Sequence, residues 1–77
     1  MARLTTQSAP TLIRVFKRFG FTLCPRKAND HIRMQKPGVS RPLIIQDKRD
    51  VPVFAILCNL RTAGISRDEY LRAIQEL

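Results

Sequence analysis

The chain has one histidine, two cysteines and six carboxylate side chains, and each scarcity removes a class of chemistry. Cys24 and Cys58 lie far apart, outside any Cys-x-x-Cys pair, and one histidine cannot complete a four-ligand set with them. A structural zinc site of ordinary composition is thereby excluded, and neither a metal nor another cofactor is expected. The cysteines are expected to be small, mostly buried packing residues rather than a disulfide. No apolar run approaches the ~20 residues that a helix needs to span a bilayer. The first residues also lack the apolar core of a signal peptide, so the expected setting is the cytoplasm, off the membrane. Repeats and low-complexity tracts are missing as well.

What is present is positive charge. Fourteen Lys/Arg against six Asp/Glu leave a formal charge of +8 on 77 residues. Eleven of those basic residues precede residue 50, while three of the six acids follow it. The length allows one domain, residues 1–77, which buries only roughly 60–65% of its unfolded surface and gains from a stabilising partner. An apolar fraction of 44% is that of a globular protein, so the charge is not that of a disordered tail. An excess this large points to a polyanion, with an acidic protein or an anionic surface as the alternatives.

Residues 1–8 are polar and aperiodic and are expected to be loosely held. The spacing of Leu12, Val15, Phe16 and Phe19 predicts an amphipathic helix over Pro10–Phe19, capped by Ser8 or Thr11 and stopped by Gly20. Arg14, Lys17 and Arg18 form its basic outer face. Alternation then predicts strands over Phe21–Arg26 and His31–Gln35, joined by a turn at Lys27–Asp30 in which Asn29 takes a positive φ. The Pro37-Gly38 turn leads to a third strand over Arg41–Ile45. Pro52–Thr62, with Val53, Ile56, Leu57 and Leu60 on one face, predicts a second helix. Ser66 and Glu69 read as a capping box opening a third helix at Arg67. The order α-β-β-β-α-α implies an α+β fold, a three-stranded antiparallel sheet with helices on one face.

Alternation also divides the sheet. Phe21, Leu23, Ile32 and Met34 are expected toward the helices, and Thr22, Cys24, Arg26, His31, Arg33 and Gln35 on the open face. The only histidine therefore shares a face with two arginines. Leu43, Ile44 and Ile45 are all apolar, so part of strand three is expected to be exposed as a protein contact, with Leu43 and Ile45 as the contact residues. Such a basic face is often only solvated surface, and a lone histidine is more often structural than catalytic until geometry says otherwise.

Gly20-Phe21, Arg26, Ala28-Asn29-Asp30-His31, Met34, Lys36-Pro37-Gly38, Arg41-Pro42 and Ile44-Ile45 occur in an order that resembles the HicA toxins. That family has a Gly-Phe after its first helix, then an Arg, a Lys-Gly-Ser-His turn and a Pro-containing strand end. Val51-Pro52-Val53-Phe54 and Asn59-Leu60-Arg61-Thr62-Ala63-Gly64-Ile65-Ser66 resemble the family's second helix and its Ala-Gly turn. The resemblance covers about residues 11–72 and departs from the pattern at Ala28, at Asn29 and at Gln46-Asp47-Lys48, where Pro-x-His is common. It implies a double-stranded-RNA-binding-like fold and a metal-independent endoribonuclease that cuts mRNA. It further implies silencing by a HicB-like antitoxin, and it maps the catalytic histidine onto His31.

RNA carries its own nucleophile in the 2′-OH, so a nuclease without metal needs proton transfer and charge stabilisation. Histidine as a residue type titrates near neutrality and suits the first role. Arg26 and Arg33 are the candidates for the second. Lys27, Lys36, Arg14, Lys17 and Arg18 are further candidates for phosphate contacts. The second proton carrier is left open among Lys27, Asp30 and water. A non-catalytic RNA-binding module of the same fold is the alternative, and a pure interaction protein that binds an acidic partner is the third.

Overall fold

A computed structural model describes residues 3–26 and 31–77. Its elements are α1 (Ala9–Arg18), β1 (Thr22–Leu23), β2 (Ile32–Gln35), β3 (Leu43–Ile45), α2 (Val53–Ala63) and α3 (Arg67–Gln75). The three strands pair antiparallel in the order β1-β2-β3, with Leu23 opposite Met34 and Arg33 opposite Ile44. The α+β class and the element order are as the sequence implies. Among the described residues no helix is long and apolar enough to cross a membrane.

Helix α1 begins where Ser8 Oγ accepts the Thr11 amide at 3.3 Å, with Pro10 in the first turn. It ends at Gly20, whose φ of 93° lets the chain reverse directly into β1. Residues Leu12, Val15 and Phe16 enter the core, and Phe16 meets Phe21 edge-on with ring centroids 6.1 Å apart. The N-terminal segment is tighter than its polar composition suggests. Gln7 and Val51 exchange backbone hydrogen bonds of 3.4 and 2.8 Å, and the Ala9 amide donates to the Lys48 carbonyl at 2.9 Å.

The strands are shorter than the alternation predicts. The ladder continues past Leu23 to the Cys24 amide, which donates to the Arg33 carbonyl at 2.9 Å, and Pro25 follows with its nitrogen toward the open edge of the sheet. β3 begins at Leu43, directly after Pro42. In β2, Ile32 and Met34 are buried while Arg33 and Gln35 are exposed. Leu23 shares the helix-side face with Met34, but on the edge strand it remains 46% exposed. Leu43 and Ile45 correct an expectation: both are fully buried, and only Ile44, 43% exposed, faces outward. Strict alternation in a strand covered on one side leaves the two flanking residues no surface to offer a partner.

Helix α2 is rotated from its expected face. Ile56, Asn59 and Leu60 are buried, while Leu57 is 39% exposed and Val53 half-buried. The cysteines are free, as expected, but their burial is corrected: Cys24 is half-buried and Cys58 exposed. Helix α3 opens with the reciprocal Ser66–Glu69 capping box, at 2.9 and 3.1 Å. Hydrogen bonds from the Ser66 amide, and then from its side chain, hold the Glu69 carboxyl below the usual range. Arg18 Nη2 meets Glu76 Oε1 at 3.0 Å and ties α1 to the end of α3.

Tyr70 of α3 is 1% exposed, and among the described residues its hydroxyl has no hydrogen-bond partner. Burial pushes the phenol up to about 12 from 10.0. Below pH ~10 both folded and unfolded chains keep the proton; between ~10 and ~12 the unfolded chain alone releases it, so stability falls as pH rises through that window, by on the order of 2–3 kcal/mol. Tyr70→Phe removes an unsatisfied buried hydroxyl. It is expected to hold or raise stability at neutral pH by up to ~1 kcal/mol and to flatten the alkaline decline. Urea titrations of both proteins at neutral and alkaline pH check this, and a marked loss at neutral pH would mean that the hydroxyl is bonded.

Candidate functional site

Antiparallel pairing brings three separate stretches of sequence to one end of the sheet. The chain leaves β1 at Arg26, enters β2 after His31 and leaves β3 at Gln46-Asp47-Lys48. At that end a cleft of about 780 Å³ opens between the exposed face of the sheet and α2. Arg26, His31, Asp47 and Lys48 line its charged side. Pro42 just before β3 and Ile44 within it, with Phe54 and Cys58 from the helix, line its apolar side.

The cleft exists because α2 docks beside β3 rather than flat across the sheet. Asn59 Nδ2 donates to the Ile44 carbonyl at 2.9 Å, satisfying a backbone acceptor of an edge strand. Asn59 is only 6% exposed, and among the described residues its Oδ1 is unpaired. This contact holds Phe54, one turn and more toward the helix start, over the mouth of the cleft with 66% of its surface exposed.

Arg26 Nη2 meets Asp47 Oδ2 at 2.8 Å, an ion pair that reaches from the end of β1 to the end of β3 and so passes the start of β2, where His31 stands. The Lys48 backbone is itself fastened to the start of α1, which fixes the loop that carries Asp47. His31 is exposed, and among the described residues no hydrogen bond orients its ring. Arg33 stands opposite Ile44 on the same open face, exposed and beside the cleft. Among the described residues no three His, Cys, Asp or Glu side chains form a metal-binding group.

The other expected phosphate contacts are distributed differently. Lys36 is not with His31: the alternation of β2 turns it to the helix side, where its Nζ lies 5.8 Å from the Phe21 ring centroid and its stem passes Gly20. Arg14 and Lys17 are exposed on the outer side of α1, which the core separates from the open sheet face. Arg18 is engaged by Glu76. Lys27, Asp30 and the turn at Lys27–Asp30 lie outside the described residues. Sequence reasoning missed Lys48, Phe54 and Asn59. An asparagine inside the apolar stripe of α2 was the one available signal, since a buried amide needs a partner.

Comparison with family models, with curated proteins and with solved structures found no match to this chain.

The Arg26–Asp47 pair is half-exposed on both sides, and such pairs contribute little to stability. Asp47→Asn is expected to change unfolding free energy by less than ~1 kcal/mol. It also removes a carboxylate that competes with any anion for Arg26, so affinity for a short oligonucleotide is expected to rise. Denaturant titration and fluorescence anisotropy on one preparation check both; weaker oligonucleotide binding by a stable variant would remove Arg26 from the anion site.

Proposed function

We propose that this chain is a metal-independent endoribonuclease of the HicA-toxin kind, with a double-stranded-RNA-binding-like fold and His31 as its acid–base group. The observation that carries the reading is that the one histidine and Arg26 line the same cleft in a domain of charge +8. The resemblance of residues 11–72 to that family supports it independently of the cleft. Substrate in this reading is mRNA, drawn in by charge and held at its phosphates.

In the proposed reaction the 2′-OH of one nucleotide attacks the adjacent phosphorus and the 5′-oxygen of the next nucleotide leaves. His31 takes the 2′ proton or delivers a proton to the leaving oxygen. The products are a 2′,3′-cyclic phosphate and a 5′-OH, so no water is consumed in this step. Arg26, released from Asp47 by the incoming phosphate, and Arg33 offset the charge that builds on the non-bridging oxygens. A HicB-like antitoxin that covers the cleft would find Ile44, Phe54 and Leu57 as apolar anchors, all exposed.

A second reading, an RNA-binding module that does not cut, is favoured by one observation: among the described residues nothing orients the His31 ring. Incubating purified protein with RNA in EDTA separates the two. If His31 is the acid–base group, His31→Ala is expected to lose about 10²–10⁴-fold in cleavage rate. RNA affinity and melting temperature are expected to stay near the parent's, because the side chain is exposed and the arginines remain. A folded His31→Ala protein that cuts at the parent rate removes the catalytic assignment. Affinity for RNA is expected to fall steeply as salt rises, since each neutralised phosphate of a single strand contributes ~0.7 to the log–log slope. Binding that stays constant with salt would defeat the charge-driven reading.

A further inference from the structure

The groove between β3 and α2 continues beyond the cleft. A second hollow of about 490 Å³ lies at the opposite end of β3, flanked by Arg41 and Arg61 and floored by Gly38, Ser40 and Gly64. Thr62 lines both hollows, and Pro42 of the first is covalently joined to Arg41 of the second. The two hollows therefore adjoin, as a track along the side of α2 that faces β3. From Phe54 to Thr62 that helix rises ~12 Å, enough for a short run of nucleotides.

Charge and apolar surface alternate along this track. Arg26 and Lys48 stand at the His31 end, and Arg41 and Arg61 at the other. Arg41 and Arg61 are exposed, and among the described residues neither is in an ion pair. Arg61, in the last turn of α2, also complements the negative end of the helix, but Arg41 comes from the β2–β3 connection and has no such role. Ile44 lies between the two cationic ends, and the exposed ring of Phe54 stands in the first hollow with Arg26 and Lys48. Cations that hold a backbone at intervals, with an aromatic face beside them, are the pattern by which proteins hold single strands. A duplex keeps its base faces stacked and has none to place on Phe54.

We propose that Arg41 and Arg61 form a second phosphate-binding subsite, and that the β3–α2 groove takes an extended single-stranded RNA with one base on Phe54. This rests on the RNA reading above and adds to it the strandedness of the substrate and a contact remote from His31. Arg41 and Arg61 act in positioning the strand, and the chemistry stays at the other end of the groove.

The test uses the full chain and a labelled decanucleotide of 2′-O-methyl RNA, which lacks the nucleophile and cannot be cut, as a single strand and as a duplex. The single strand is expected to bind more tightly. Arg41→Gln with Arg61→Gln is expected to weaken single-strand binding about tenfold and to lower the salt slope by about 1.4, two phosphates' worth. Phe54→Ala is expected to weaken it about tenfold. Arg67→Gln with Arg72→Gln removes the same charge from α3 and is expected to cost less than about twofold, which separates a local contact from net charge. Arg41→Lys with Arg61→Lys, a gentler change, is expected to retain most of the salt slope. Parent affinity and slope in the Arg41→Gln, Arg61→Gln protein would overturn the subsite and leave the RNA reading standing. Equal or tighter binding of the duplex would overturn the single-strand assignment. Absence of RNA binding by the unaltered chain would overturn both this inference and the reading beneath it.

Discussion

The last strand of a small sheet exposes a row of backbone carbonyls, and a helix that packs beside it must meet at least one of them or leave it dry and unpaired. In this chain Asn59 does so, donating to the Ile44 carbonyl from the buried side of α2. Much of the functional geometry follows from that bond. It sets α2 against the edge of β3, turns Phe54 and Cys58 outward and leaves a hollow between helix and sheet instead of a sealed joint. An apolar residue in place of Asn59 would leave the Ile44 carbonyl without that donor.

Electrostatics then sets the character of the hollow. Antiparallel pairing collects Arg26, His31, Asp47 and Lys48 at one end of the sheet although they come from two separate loops. The Arg26–Asp47 pair is weak as a structural tie, and any anion that approached Arg26 would compete with that carboxylate. The remaining positive charge is spread over several surfaces. Lys36 is on the helix side against Phe21, Arg18 is bound to Glu76, and Arg14 and Lys17 lie across the core from His31. A charge of +8 is thus a long-range attraction for a polyanion, and only part of it belongs to the cleft.

The core was legible wherever a simple period ran uninterrupted. Leu12, Val15 and Phe16 at helical spacing, and Ile32 and Met34 at strand spacing, are buried as the period requires. The helix ends were legible for a similar reason: Ser8, Gly20 and the Ser66–Glu69 box act through bonds to backbone within a few residues. Period overran the strands beside Pro25 and Pro42, and it failed where three consecutive apolar residues erased it, at Leu43-Ile44-Ile45. The general tendency of free cysteines to be buried failed for Cys24 and Cys58, because burial depends on which face a neighbouring element covers.

Local chemistry by itself thus determined the helix starts and stops, the turn at Pro37-Gly38, the order of the elements, and the placing of His31 and Arg33 on one side of β2. Those properties act over a few residues, and a few residues are what a period or a cap records. Tertiary structure alone decided the pairing of Arg26 with Asp47, the withdrawal of Lys36 to Phe21, the choice of Ile44 as the exposed residue of β3, and the meeting of Phe54 with His31 in one cleft. Each joins residues distant along the chain, and their meeting depends on strand register and on the hydrogen bond from Asn59, neither of which is a property of any one segment.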